Sequence, residues 1–175
     1  MPPTAPIFCD SAPRLADALC AWLAPPIAVV GIGNALRGDD AFGPAVISSL
    51  RGTTGLVLFD VQAVPESFLV PIASSGCAGV LFVDAADLGA EPGRVALVPA
   101  EHLAEVDVST HAISLALVAE AIQGLGRGES GRKIPCALVG AQPADLSTAD
   151  RISPAIQSAV RLASAALRTF SCSGL

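Results

Sequence analysis

The stretch I-A-V-V-G-I-G at residues 27–33 decides the fold that this sequence predicts. A short aliphatic run of this kind, broken only by glycine, is typical of a strand buried on both faces of a parallel sheet. The polar loop N-A-L-R-G-D-D follows at 34–40, and a helix is expected over about 41–50, with Asp39 or Asp40 as its cap. The segment therefore predicts the first strand, loop and helix of an α/β domain.

The same alternation of strands and helices continues along the chain. Strands that alternate with helices are typical of a doubly wound α/β/α sandwich, here with a five-stranded, mostly parallel sheet. We divide the chain into an N-terminal extension with a short helix, 1–26, and a single domain, 27–170. The other expected strands are 56–59, 79–83, 94–98 and 134–141, and the other expected helices are 66–74, 110–122 and 152–167.

Composition excludes several classes of protein. Hydrophobic residues make up 52% of the 175 residues and charged residues 15%, so the chain can bury a core and is not intrinsically disordered. The net charge is −6 and Lys133 is the only lysine, so we expect no nucleic-acid partner. The five cysteines are scattered without a C-x-x-C pair, which disfavours a disulfide framework or a zinc site.

Targeting signals and membrane spans are not visible in the sequence. The first ten residues lack a basic segment followed by an apolar stretch, which a secretory signal requires. The most apolar segment, 19–36, contains Pro25-Pro26 and several glycines, and it makes a poor membrane span. We therefore expect a cytoplasmic protein that does not insert into a membrane.

Three polar residues fall where an α/β sheet places its ligands, beyond the carboxyl ends of the parallel strands. Asp40 lies in the loop after the first strand, Asp84 ends the third, and His111 begins a later helix. Two carboxylates and an imidazole form a ligand set suited to a divalent ion such as nickel, zinc or manganese, with open positions for a substrate. The sequence thus predicts a metal-contacting site at this edge.

Structural interpretations of the same residues stay open at this point. Asp39 or Asp40 serves as a helix cap in one of them, and Asp60 or Asp84 orders a turn. His111 is then a structural or solvated histidine. A nucleotide-binding interpretation also exists, because Gly31 to Asn34 partly matches a dinucleotide fingerprint, although Leu36 occupies the third glycine position.

The sequence as a whole resembles the nickel-iron hydrogenase maturation endopeptidases. The opening signature is V-G-I-G-N-A-L-R-G-D-D-A-F-G-P-A-V at 30–46, and L-F-V-D-A-A-D-L-G with E-P-G follows at 81–93. S-T-H stands at 109–111 and V-G-A-Q-P at 139–143. V-P-E at 64–66 and Gln142-Pro143 are most similar to the branch that serves formate-hydrogenlyase-type hydrogenases, the hydrogenase 3 branch.

The resemblance implies a function and a site. It implies an endopeptidase, of aspartic or metal-assisted type, that removes the C-terminal extension of a nickel-iron hydrogenase large-subunit precursor after nickel insertion. The nickel is expected to be carried by the substrate, with no nucleotide cofactor, and one strand of the sheet is expected to be antiparallel. The metal-contacting and catalytic residues then fall on Asp40, Asp84 and His111. The substrate-binding candidates are Gly33, Asn34, Asp39, Asp60 and Gln62.

Two departures from the family pattern keep a second function open. Ala41 stands where the family usually has glycine after its acidic pair, and Val61-Gln62 replaces a common Gly-Gly. The alternative is a non-catalytic nickel-checkpoint or chaperone module that binds the hydrogenase precursor without cutting it.

Overall fold

Three parallel strands form the centre of the sheet. The computed structural model describes residues 6–105, 107–108, 115–125, 133–145 and 151–172. The central strands are β2 (Ile27–Ile32), β4 (Gly79–Asp87) and β7 (Cys136–Ala141), and β4 lies between the other two. Every residue of β2 and β7 is buried, which explains why these strands are aliphatic on both faces.

The outer strands complete the sheet on both sides. β3 (Leu56–Gln62) is parallel to β2 and forms one edge. On the other side β5 (Val95–Pro99) is antiparallel to β7, and β1 (Ile7–Cys9) is antiparallel to β5. The order is β1-β5-β7-β4-β2-β3, and a two-residue strand, β6 (Asp107–Val108), pairs with the end of β4.

Helices cover both faces of the sheet. The helices are α1 (Ala12–Trp22), α2 (Phe42–Ser49), α3 (Leu69–Ala73), α4 (Leu115–Leu125) and α5 (Pro154–Cys172). The hydrophobic cluster on one face contains residues of α1, α2 and α5, and the cluster on the other contains residues of α3 and α4. Alternate strand residues divide between these clusters, as Val29 and Val30 do, so the architecture is a three-layer α/β/α sandwich.

The predicted fold class and the antiparallel strand, which is β5, are confirmed, but the predicted strand count is wrong. Six strands rather than five form the continuous sheet in the described part of the chain, with β6 as an added seventh. The sixth, β1, comes from the N-terminal segment, for which the sequence indicated only a helix. Three residues are too few for an alternating pattern to be recognised.

The N-terminal segment contributes to the same core as the rest of the chain. β1 pairs with β5, and α1 packs against α5. Cys9, Leu15 and Leu19 are buried in the cluster that also contains α5 residues. Within the described residues, this part of 1–26 is therefore integrated into the sandwich formed by 27–170.

Several element boundaries also differ from the sequence prediction. The helix expected at 66–74 is divided into a 3-10 turn, Pro65–Phe68, and the short α3. α5 continues five residues beyond the predicted end, to Cys172. β4 extends past Asp84 to Asp87, where β6 pairs with it.

Candidate functional site

A 3-10 turn, Gly38–Ala41, carries the acidic pair between β2 and α2. Two glycines let this turn and the start of α2 press against the sheet. A Cβ atom on Gly33 would lie 1.9 Å from the Asp40 backbone oxygen, and one on Gly43 would lie 2.1 Å from that of Ile32. Both distances are far below van der Waals contact, so only glycine permits this approach. The turn is thereby held directly above the carboxyl end of β2.

Asp84 lies in the strand beside β2. Gly31 of β2 is in register with Val83 of β4, so Asp84 follows at the level where β2 ends. A Cβ atom on Gly43 would also lie 2.4 Å from the Val83 backbone oxygen, which shows that the start of α2 crosses both strands. The 3-10 turn itself contacts β4. The fold therefore brings the Asp40 turn and Asp84 to the same place on the sheet.

Asp40 is a buried carboxylate with one oxygen engaged. The residue is 2% exposed, and its Oδ2 accepts a hydrogen bond from the Asn34 backbone N–H at 3.1 Å. Its Oδ1 is buried and has no hydrogen-bond partner among the described residues. A buried carboxylate oxygen without a hydrogen-bond donor lowers the stability of the fold. A ligand bound at this position would supply the missing interaction.

Asp84 is buried more completely. It is 0% exposed, and both of its side-chain oxygens are inaccessible to solvent. By strand alternation its side chain lies on the face of Phe82 and Ala86, the face that α3 and α4 cover. Burial disfavours the charged form of a carboxylate, so two buried carboxylates at one sheet edge lower the stability of the fold.

Asp39 has different surroundings from its neighbour Asp40. Its Oδ1 accepts a hydrogen bond from the Ser153 N–H at 2.7 Å, and its Oδ2 accepts bonds from Ala144 at 2.8 Å and Asp145 at 3.4 Å. Ser153 Oγ in turn accepts the N–H of Ile156 in the first turn of α5. Asp39 therefore anchors the start of α5 and the loop after β7 to the 3-10 turn.

The predicted helix cap is wrong for both aspartates. Ala41 occupies the cap position of α2, and no side chain donates or accepts a capping hydrogen bond there. The intervening 3-10 turn displaces both carboxylates from the helix start. Asp39 instead supports the start of α5, which is distant in sequence, and the cap interpretation does not account for Asp40.

His111 lies outside the described residues. The described chain reaches Val108 in β6, three residues before His111, and Val108 pairs with Ala86, two residues beyond Asp84. Within the described segments, no group of three or more acidic, histidine or cysteine residues is arranged to hold a metal ion. The structure thus places Asp40 and Asp84 together and does not test the third member of the predicted set.

Of the remaining substrate-binding candidates, Gly33 and Asn34 lie in the loop after β2, and Asp60 and Gln62 lie at the end of β3. The Gly33 N–H donates to the Gln62 backbone oxygen at 3.0 Å, which joins the loop after β2 to the end of β3. Asp60 and Gln62 are exposed, whereas Asn34 is half-buried. The Asn34 Oδ1 also accepts a hydrogen bond from the Leu36 N–H at 2.9 Å. Asparagine side chains commonly stabilise turns through such a bond to the backbone two residues on.

The two departures from the family pattern, at Ala41 and at Val61-Gln62, differ in backbone conformation. Ala41 has φ −76°, a conformation that does not require glycine. Gln62 has φ +51°, in the left-handed region that glycine adopts without cost. A register shift between β2 and β3 buries Val61 and leaves Gln62 in this conformation. Gln62 therefore retains a backbone conformation suited to glycine, whereas Ala41 does not need one.

Two features argue against other chemistries. The N–H groups of Gly33 and Asn34 are already engaged by Gln62 and Asp40, so they are not directed at a nucleotide phosphate. Burial raises the pKa of the Cys136 thiol to about 12 and also raises that of Cys9. Such thiols stay protonated at neutral pH and are poor nucleophiles.

Gln142 holds the loop after β4 in place. Its Oε1 accepts the N–H groups of Leu88 at 2.7 Å and Ala90 at 3.2 Å. Its backbone N–H donates to the Arg94 oxygen, and its backbone oxygen accepts the Gly93 N–H. The Gln142-Pro143 pair that stood out in the sequence thus has a structural role beside the site. This role depends on contacts over more than fifty residues, which no local pattern reveals.

The sequence model of the hydrogenase maturation proteases matches residues 46–169, most of the chain. The chain belongs to the hydrogenase maturation protease family. The match begins after the Asp40 turn and includes Asp84 and His111. The predicted resemblance is confirmed.

Individual relatives agree with the family assignment. The hydrogenase 3 maturation protease of Escherichia coli K12 is 30% identical over 81 residues, covering 45% of this chain and 52% of the relative. A putative hydrogenase maturation protease of Methanocaldococcus jannaschii is 26% identical over 102 residues, covering 53% and 60%. The aligned part of the chain thus spans little more than half the length of these curated relatives. The name of the Escherichia coli relative supports the predicted similarity to the hydrogenase 3 branch.

Solved structures of the family have the same fold. The nickel-iron hydrogenase maturation protease HycI of Thermococcus kodakarensis superposes with a TM-score of 0.73 at 31% identity, covering 91% of this chain and 99% of that protein. HybD of Escherichia coli superposes with a TM-score of 0.66 at 23% identity, over 82% and 92%. The second likeness concerns the fold alone. Among the described residues, none of the helices combines the length and apolarity that a membrane crossing requires.

Proposed function

We propose that this protein is an endopeptidase that removes the C-terminal extension of a nickel-iron hydrogenase large-subunit precursor after nickel has been inserted. Asp40 carries the proposal. Its Oδ1 is buried without a hydrogen-bond donor among the described residues, beside a second buried carboxylate, in a member of the hydrogenase maturation protease family.

The nickel in this proposal belongs to the substrate. Asp40 and Asp84 supply oxygen ligands, and His111 supplies nitrogen, a set that suits a divalent transition ion. Recognition then depends on nickel loading, because an empty precursor lacks the ion that joins the two proteins. Val108 pairs with β4 close to Asp84, which supports the inclusion of His111.

The chemistry requires a base and a polarised carbonyl. One carboxylate accepts a proton from water, and the water oxygen bonds to the scissile carbonyl carbon. The carbon–nitrogen bond then breaks, and the proton passes to the leaving amine. The substrate's nickel, held beside the peptide, polarises the carbonyl oxygen. Burial of the carboxylates excludes bulk water and strengthens each of these interactions.

Substitution of the three proposed residues tests the site. We expect Asp40→Asn, Asp84→Asn and His111→Ala each to lower the rate of precursor cleavage by about 100-fold or more, because each removes a ligand or the base. The rate is measured by intact-mass analysis of nickel-loaded precursor over time. Asp17→Asn, which changes an exposed aspartate on α1, is the matched control and should cleave at the wild-type rate.

The same experiment separates the non-catalytic alternative. A checkpoint or chaperone module binds the nickel-loaded precursor but leaves its mass unchanged, whereas the protease shortens it. Wild-type turnover by all three variants contradicts the assignment of the site. An unchanged precursor mass after incubation with wild-type protein, together with stable binding, contradicts cleavage itself.

A further inference from the structure

Leu36 is the most exposed of the large hydrophobic residues in the described part of the chain. It is 81% exposed, compared with 62% for Val70 and 58% for Leu117. An isolated exposed leucine is unremarkable by itself on a protein surface. Leu36 differs because it lies in the loop between β2 and the Asp40 turn, four residues before Asp40.

The backbone around Leu36 is fixed by a chain of hydrogen bonds. Asn34 Oδ1 accepts the Leu36 N–H at 2.9 Å, and the Asn34 backbone oxygen accepts the Arg37 N–H at 3.0 Å. The Arg37 backbone oxygen then accepts the Asp40 N–H at 3.0 Å. The Asn34 N–H closes the circuit by donating to Asp40 Oδ2 at 3.1 Å. Leu36 is therefore exposed at a position that is set relative to the Asp40 carboxylate.

A second exposed apolar residue lies on the adjoining loop. Val64 is 45% exposed, and its N–H donates to the Val61 oxygen in a turn that follows β3. Gln62 is the last residue of β3, and its hydrogen bond with Gly33 joins the end of β3 to the loop that carries Leu36. We call Leu36 and Val64 the apolar rim. Both residues stand on loops at the carboxyl edge of the sheet, where Asp40 and Asp84 are buried.

We infer that Leu36 is a specificity-determining residue that contacts an apolar side chain of the precursor next to the scissile bond. This inference rests on the proposed function and adds a recognition element that does not depend on nickel. Metal contact holds one point of the substrate, and a peptide needs a second contact to be oriented for attack. The Leu36 and Val64 side chains carry no charge, so the contact that they offer is apolar.

Substitution of Leu36 measures this contact directly. The substrate is a nickel-loaded large-subunit precursor that the wild-type protein cleaves, and KM and kcat are determined separately. We expect Leu36→Ser to raise KM about ten-fold with kcat within about two-fold, because a leucine that is buried only in the complex contributes to binding. Leu36→Met keeps an apolar side chain and should keep KM within about two-fold.

Leu125→Ser is the matched control. Leu125 is 55% exposed at the end of α4, away from the loops that follow β2 and β3, and its substitution should leave KM and kcat unchanged. Thermal unfolding of each variant confirms that its fold is retained. An unchanged KM in Leu36→Ser, or an equal rise in Leu36→Ser and Leu125→Ser, overturns the inference.

Binding keeps this test independent of the proposed cleavage. If the wild-type protein leaves the precursor intact, the proposed function fails while Leu36 can still be examined. The affinity for nickel-loaded precursor is then measured by calorimetry. About ten-fold weaker binding by Leu36→Ser, with wild-type binding by Leu125→Ser, supports the contact. Equal affinities, or no binding by the wild-type protein, refute it.

Discussion

The Gly38–Ala41 turn contains two aspartates that differ in the hydrogen bonds their carboxylates accept. Asp39 and Asp40 are adjacent and each is 2% exposed. The Asp39 carboxylate accepts three backbone N–H groups, from Ala144, Asp145 and Ser153. The Asp40 carboxylate accepts one, and its other oxygen has no donor among the described residues.

This difference separates a structural aspartate, Asp39, from Asp40, the aspartate that we propose to be functional. A buried carboxylate that is saturated by donors stabilises the fold, because hydrogen bonds to a charged group are among the stronger ones. A buried carboxylate that lacks donors reduces stability and is retained where a ligand supplies the missing interaction. The contrast assigns Asp39 to the scaffold, whereas in the proposed function Asp40 contacts the substrate.

Substitution by asparagine is expected to separate the two aspartates most clearly. Asn at position 39 retains one acceptor oxygen and presents an NH₂ group to a backbone N–H, so Asp39→Asn should lower the free energy of unfolding by about 2–3 kcal/mol. That loss corresponds to a melting temperature lower by roughly 5–10 °C. Asp40→Asn keeps the acceptor for Asn34 and removes a buried charge, so it should be neutral or stabilising by about 1 kcal/mol.

Denaturant unfolding of the two variants and wild type provides the comparison. An equal loss of stability in Asp39→Asn and Asp40→Asn would show that both carboxylates are structural. A stable Asp39→Asn would show that its three hydrogen bonds contribute little.

Much of this fold was predictable from local sequence. Aliphatic runs predict β2, β4, β5 and β7, because burial on both faces makes such strands continuously apolar. The edge strand β3 is only partly buried, but its apolar residues still indicate a strand. β1 was missed, since Ile7 to Cys9 is too short to show a pattern. Its position depends on pairing with β5, almost ninety residues further along the chain.

The site was predictable to a smaller extent. The rule that ligands lie beyond the strand ends predicts that Asp40 and Asp84 lie close together. In the structure, the turn that carries Asp40 contacts the strand that carries Asp84. The separation of Asp39 from Asp40 was not predictable, because the partners of Asp39 are 105 to 114 residues away. The local sequence shows two consecutive aspartates in one loop. It does not show which of them accepts hydrogen bonds from residues far along the chain.

Substitution of Gln62 tests the backbone conformation at the end of β3, and we expect smaller changes in stability there. Its φ of +51° is unfavourable for a side chain with a Cβ atom, so Gln62→Gly should raise the free energy of unfolding by about 0.5–1 kcal/mol. Gln62→Val should lower it by about 1–2 kcal/mol, because a branched side chain fits this conformation poorly. Thermal unfolding measures both changes. A loss of stability in Gln62→Gly would show that the exposed glutamine side chain, rather than the backbone, fixes this loop.

In the proposed function, Asp40 contacts a nickel ion that the substrate carries. Wild-type protein and Asp40→Asn are each incubated with nickel-loaded and nickel-free large-subunit precursor, and intact masses are recorded over time. We expect wild-type protein to shorten only the nickel-loaded precursor, and Asp40→Asn to leave both at full mass. Equal shortening of loaded and empty precursor, or wild-type cleavage by Asp40→Asn, would contradict the account.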